Sequence, residues 1–114
     1  MPKFLSQPKD TIAIQDTMVR FECLIDAMPK PKVTWYLNDK ELTVKDNVKF
    51  ETDVKTSANV MVIPKVSTNF VGFYTVKVSN SVGEIEHKFK LDVNGKLKET
   101  LIWHLNKYII FLEF

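Results

Sequence analysis

Apolar and polar residues alternate along most of this chain with a period near two, and turn-forming residues break the alternation at short intervals. That rhythm marks half-buried β-strands, each with one face toward a core and one toward water. Val19, Phe21, Cys23 and Ile25 interleave with Arg20, Glu22, Leu24 and Asp26. Val33, Trp35 and Leu37 carry the next buried face, after a stiff Met28-Pro29-Lys30-Pro31 turn. Val48 and Phe50 predict a further strand, and Met61 and Ile63 predict another that stops at Pro64. Tyr74, Val76 and Val78 alternate with Thr75, Lys77 and Ser79, and Asn80-Ser81-Val82-Gly83 turns the chain into a hairpin partner in which Phe89, Leu91 and Val93 face inward. Near the start, a run from Lys3 to Gln7 stops at Pro8, and a second begins at Thr11 with Ile12 and Ile14 on one face. A proline between two short strands suits an edge strand that breaks and changes partners. Seven or more short strands in about ninety residues predict an all-β, two-sheet sandwich rather than a helical or parallel α/β fold.

After Gly95 the period changes. Leu97, Leu101, Leu105, Tyr108 and Leu112 fall on one stripe of a helix, and Ile102, Trp103, Ile109, Ile110, Phe111 and Phe114 widen it. The chain is therefore expected to divide into a sandwich over residues 1–95 and a C-terminal tail over 96–114, either a short helix or an alternative terminus encoded by read-through beyond Gly95-Lys96. Leu101, Trp103 and Leu105 are candidate partner-facing residues of that tail. Its weak polar face argues against a helix lying in a membrane interface.

With 114 residues, 45% of them hydrophobic, the chain has enough apolar material for one core without covalent staples. Sixteen basic and fourteen acidic side chains give a formal charge of +2, interspersed without blocks of one sign. Nothing in that balance calls for nucleic acid or an anionic membrane. The opening Met1-Pro2-Lys3-Phe4-Leu5 lacks the apolar run of a secretory signal, and no stretch reaches the length needed to span a bilayer, so a cytoplasmic location is expected. A single cysteine excludes an internal disulfide and agrees with a reducing compartment.

Catalysis finds little footing. Cys23 sits on the apolar face of its strand, where a thiol behaves as a small hydrophobe. His87 and His104 have no carboxylate or cysteine at ligand spacing, and the three glycines are isolated, which leaves no phosphate-cradling loop. Glu84 with Glu86, and Asp39 with Glu41, read as solvated turn and hairpin faces. No cofactor, no metal and no enzymatic activity are expected. Binding is left to surfaces: the loops Asp26 to Lys32, Asn38 to Glu41 and Asn80 to Glu84, and the outward-facing Leu24 and Tyr36, candidate partner residues that read either as a small apolar patch or as scattered surface hydrophobics.

Cys23 followed by Trp35, the Gly72-Phe73-Tyr74 corner, the Ser79-Asn80-Ser81-Val82-Gly83 turn and the Ile63-Pro64-Lys65-Val66 run together resemble an intermediate-set (I-set) immunoglobulin-like domain. More narrowly, the chain resembles the immunoglobulin modules of the giant muscle proteins, the titin, twitchin and projectin group. The resemblance covers about residues 2 to 94. It implies a Greek-key sandwich with a core of Phe21, Cys23, Trp35, Phe50, Met61, Ile63, Tyr74, Val76 and Leu91, Tyr74 being the corner tyrosine whose hydroxyl ties its strand to the backbone a few residues upstream. It further implies a structural, protein-binding module of a sarcomeric protein, with neighbouring immunoglobulin or fibronectin modules and filaments as partners and any kinase elsewhere in the parent. An extracellular adhesion or matrix immunoglobulin domain is the alternative. Two positions depart from the family pattern. Val76 stands where the second cysteine is expected, removing a bridge worth about 4 kcal/mol in the chain-entropy description. Phe70 stands where an aspartate is common, which deprives Arg20 or a nearby lysine of its usual partner.

Overall fold

The computed structural model describes residues 2–94, and the tail expected over 96–114, with Leu101, Trp103 and Leu105, lies outside the described residues. Among the described residues nine strands form two sheets: β1 (Lys3–Ser6), β2 (Thr11–Ile14), β3 (Val19–Asp26), β4 (Lys32–Leu37), β5 (Lys40–Glu41), β6 (Lys49–Asp53), β7 (Ala58–Ile63), β8 (Gly72–Ser79) and β9 (Glu84–Asn94). One sheet has the order β1-β3-β7-β6, the other β2-β9-β8-β4-β5. The break at Pro8 has the consequence its position suggests. β1 pairs antiparallel with β3 in the first sheet, whereas β2 pairs parallel with β9 in the second, so one edge of the chain serves both layers.

Local chemistry sets the corners. β4 and β5 are joined by Asn38 and Asp39, both in the left-handed region with φ of 49° and 69°, the geometry of a tight hairpin turn that these two residue types tolerate well. A 3-10 turn over Val44–Asp46 is closed by Thr43, whose hydroxyl accepts from the Lys45 amide while the Asp46 carboxylate accepts from the Thr43 amide. Those bonds, with Lys40 beside it, hold the Asp46 carboxyl below its ordinary value. At the β8–β9 turn, Asn80 Oδ1 accepts from the amides of Val82 and Gly83 at 2.9 and 3.2 Å.

Between the sheets the alternating residues close into one core. Phe21, Cys23, Trp35, Met61, Ile63, Tyr74, Val76, Phe89 and Leu91 are all buried there. Phe89 is the hub of the rings: its centroid lies 4.6 Å from Phe21, 5.5 Å from Tyr74 in a stacked pair, and 6.2 Å from Trp35 edge-on. Each such pair contributes about 0.5 to 1.5 kcal/mol beyond the apolar area it hides. Tyr74 donates its hydroxyl to the Phe70 carbonyl, so the corner is satisfied although the ring is fully buried. Cys23 is also fully buried, and its Sγ lies 3.7 Å from the Asn59 carbonyl.

Phe50 corrects the expected core. It keeps 39% of its surface exposed because β6 is the free edge of its sheet, with a neighbour on one side only, and Val48 fills the core position just before that strand. Arg20, one of the basic residues expected to lack a partner with phenylalanine at position 70, lies 3.6 Å from Glu22 on the outer face.

Candidate partner-binding surfaces

The buried Cys23 thiol and Tyr74 phenol are poorly placed for nucleophilic chemistry. Burial, with the Glu22 charge as a lesser cause, pushes the Cys23 thiol up to about 12, so it stays protonated and unreactive. Burial likewise raises the Tyr74 phenol. His87 Nε2 lies 2.8 Å from the Pro8 carbonyl, which can only accept, and the ring stacks on Phe89 at 6.1 Å. The imidazole therefore fastens the β1–β2 link onto β9. Among the described residues, no three His, Cys, Asp or Glu side chains lie close enough to hold a metal ion.

Three surfaces are available to partners. The first is made of the two ends of the sandwich, at one of which β1 begins. There the Asp26 to Lys32 loop and the Asn80 to Glu84 turn meet, joined by Asn80 Nδ2 donating to the Pro29 carbonyl at 2.8 Å. Met28 and Val54 stand 83% and 79% exposed there, beside a cleft of about 420 Å³ lined by Ala27, Pro31 and Ser57 among others. The opposite end holds the Asn38–Asp39 turn and a wide cleft of about 1030 Å³ in which Lys40, Lys45 and Lys65 mix with Asp16 and Asp46 and with the apolar Leu37, Leu42 and Phe70. Sequence spacing located these loops, yet it gave no means of pairing Met28 with Val54, which are brought together only by the fold.

The sheet faces are the second and third surfaces, and they separate the two outward-facing candidates. Leu24 lies on β3, in the four-stranded sheet, and Tyr36 on β4, in the five-stranded sheet, so the two point away from opposite sides of the molecule and form no common patch. Both are half-buried. Around Leu24 the outer face is already covered: Val60 and Val62 are buried although they point away from the core, flanked by Glu22 and Glu51 and by Arg20 and Lys49 respectively. The long polar side chains shield them.

Tyr36 has different company. Register aligns Tyr36 with Thr75, and Thr75 with Lys88, across three strands. Lys77 Nζ stands 5.7 Å from the Tyr36 ring centroid, and Lys90 Nζ stands 5.9 Å from that of Phe73, which is 63% exposed. Two aromatic rings, each with an ammonium beside it, thus share one outer face. Alternation already places Phe73, Thr75 and Lys77 outside. Their juxtaposition with Lys88 and Lys90 needs the β8–β9 register.

Known proteins locate this architecture. Residues 2–93 match the family described as immunoglobulin I-set domain. A titin homolog of Caenorhabditis elegans is 31% identical over 98 residues, a match covering 85% of this chain and, to the nearest per cent, 0% of the relative. A fibroblast growth factor receptor of Halocynthia roretzi is 36% identical over 78 residues, covering 68% of this chain and 10% of the receptor. The chain thus spans a tenth or less of the length of these relatives. Among solved structures, titin domains Z1Z2 in complex with telethonin superpose with a TM-score of 0.78 at 21% identity, covering 83% of this chain and 48% of that one. The two-sheet architecture and the span of the match agree: the chain belongs to the immunoglobulin I-set family.

Proposed function

We propose that this chain is a non-catalytic structural and protein-docking module of a sarcomeric, titin- or twitchin-like protein, working in the cytoplasm of muscle. The observation that carries the reading is the sandwich core itself, closed over a lone reduced cysteine with Val76 buried where a bridging partner is expected. A domain built this way keeps its stability in a reducing compartment. The similarity to the titin homolog supports the muscle setting. Geometry supports a place in a series of modules: Lys3 pairs with Asp26 at one end of the sandwich, while Asn94 pairs with Ile14 at the other, so neighbours enter along the long axis of the strands. Its partners on this reading are adjoining immunoglobulin or fibronectin modules and sarcomeric filaments, with no nucleic acid, membrane, cofactor or metal. Residues 1–95 form the module, and 96–114 a tail or alternative terminus.

A second reading, an extracellular receptor or matrix immunoglobulin domain, is favoured by the similarity to the growth factor receptor. Antibody staining of native tissue separates the two. Striated banding seen only in permeabilised muscle supports the first. Labelling of intact, unpermeabilised cells overturns it in favour of the second.

A further inference from the structure

Thr75 is the one buried polar residue among the described residues, 9% exposed, and it belongs not to the core but to the outer face of the five-stranded sheet. Tyr74, Val76 and Val78 take the inward positions of β8, so Thr75 is turned outward with Phe73 and Lys77, and neighbouring side chains cover it. Its hydroxyl has no hydrogen-bond partner among the described residues. A buried hydroxyl without a partner destabilises a fold, and valine would fill the same volume in a strand with no such penalty. Thr75 lines a shallow cavity of about 220 Å³ together with Tyr36, Asp39, Lys77, Glu86 and Lys88.

Charge around that hydroxyl is uneven. Lys77 lies 3.6 Å from Glu84 and directly across from Glu86, so its charge is largely answered. Lys88, directly across from Thr75, and Lys90, two pairs further along and across from Phe73, have no ion pair among the described residues. Beyond Lys90 the exposed Phe73 ring offers an apolar neighbour. Asp39 and Glu86 on the rim oppose a ligand carrying negative charge all round, such as a phosphate or a nucleic acid.

We propose that this face is a docking site for an extended segment of a partner protein that carries a single carboxylate: that carboxylate enters beside Lys88 and accepts from the Thr75 hydroxyl, and an apolar residue two positions along, on the same face of the segment, covers Phe73. The charge-assisted hydrogen bond gives the buried hydroxyl its partner. The site rests on the reading of the chain as a protein-docking module and names one of its surfaces.

The test titrates the full-length ¹⁵N-labelled chain with the peptide Gly-Ser-Glu-Ser-Leu-Ser-Gly and, separately, with the counterpart that has lysine in place of glutamate, following amide shifts. The acidic peptide is expected to shift residues around Tyr36, Thr75 and Lys88, and the lysine peptide to leave them unmoved. Thr75→Val should weaken the acidic peptide about tenfold or more while leaving the melting temperature unchanged or raised, and the exposed Lys88→Glu should abolish binding. Equal response to both peptides, shifts confined to the loop ends, or unchanged affinity in Thr75→Val overturns the site. Muscle banding that persists when the acidic peptide fails to bind removes this site and leaves the module reading standing. Peptide binding at Thr75 in a chain that labels intact cells keeps the site and removes the muscle setting.

Discussion

Asn38 and Phe73 hold each other by two hydrogen bonds of opposite sense: the Asn38 amide donates to the Phe73 carbonyl at 2.8 Å, and the Phe73 amide donates to Asn38 Oδ1 at 3.0 Å. This clasp fixes the β4–β5 turn to the start of β8 and leaves no room beside it. Gly72, with φ of 150°, sits where a Cβ would lie 2.6 Å from the Asn38 side chain. Gly72→Ala therefore combines a disfavoured backbone with a collision, and a loss of about 2 to 4 kcal/mol is expected in urea unfolding of the full chain. An unchanged midpoint would show that the clasp is dispensable.

At the other end, Asn80 uses its side-chain amide to donate to Pro29 and its side-chain oxygen to accept two turn amides. Asn80→Ala removes all three bonds at once. A cost of about 1 to 3 kcal/mol is expected, since these bonds are part-exposed and water replaces some of them. Amide exchange should accelerate together in residues 27–31 and 80–83, because one side chain ties both loops. Acceleration in the second loop alone would mean that the bond to Pro29 contributes nothing.

Much of this fold is legible in the sequence, and the reasons for success and failure are physical. β3 and β9 are buried on one face, so alternation reads directly, and Pro8 announces the change of sheet. Phe50 was misplaced because alternation reports which face a residue takes, not how much of that face a neighbour covers, and an edge strand covers half as much. Leu24 and Tyr36 have the expected outward parity, yet parity carries no information about which sheet a strand joins. Thr75 illustrates the same limit from the other side. Its burial arises from Tyr36 and Lys88 in adjacent strands, and those pairings exist only once the register is set.

Alkaline pH should expose the two buried acids. The folded-state value of Cys23 is raised from 9.0 to about 12, and that of Tyr74 is raised from 10.0. For a raised acid the unfolded chain loses its proton first, so the stabilising contribution is complete below about pH 9 and is lost as pH rises toward about 12. Each group adds a slope of about 1.4 kcal/mol per pH unit across its own window. Stability from denaturant titrations should be insensitive to these groups up to pH 9 and fall steeply above it, with Cys23→Ala falling less steeply between pH 9 and 10. Identical alkaline profiles for the two proteins would place the thiol in contact with water.

Cys23 and Val76 occupy facing sheets of one core, both fully buried. Val76→Cys is expected to form a bridge on oxidation and to gain up to about 4 kcal/mol over its reduced form. Melting under oxidising and reducing conditions, with a count of free thiols, checks this. Two free thiols after oxidation would show that the facing positions are out of disulfide reach.

The central claim is that packing around Trp35 and Phe89, and no covalent bridge, makes this sandwich a rigid scaffold. Urea unfolding of the full chain and of Trp35→Ala, each with and without reductant, tests it most directly. The parent should unfold in one cooperative transition that reductant leaves unmoved, and Trp35→Ala should lose about 3 to 5 kcal/mol, enough to leave the domain largely unfolded in water. A parent midpoint that drops on adding reductant, or a Trp35→Ala transition close to the parent's, would contradict it.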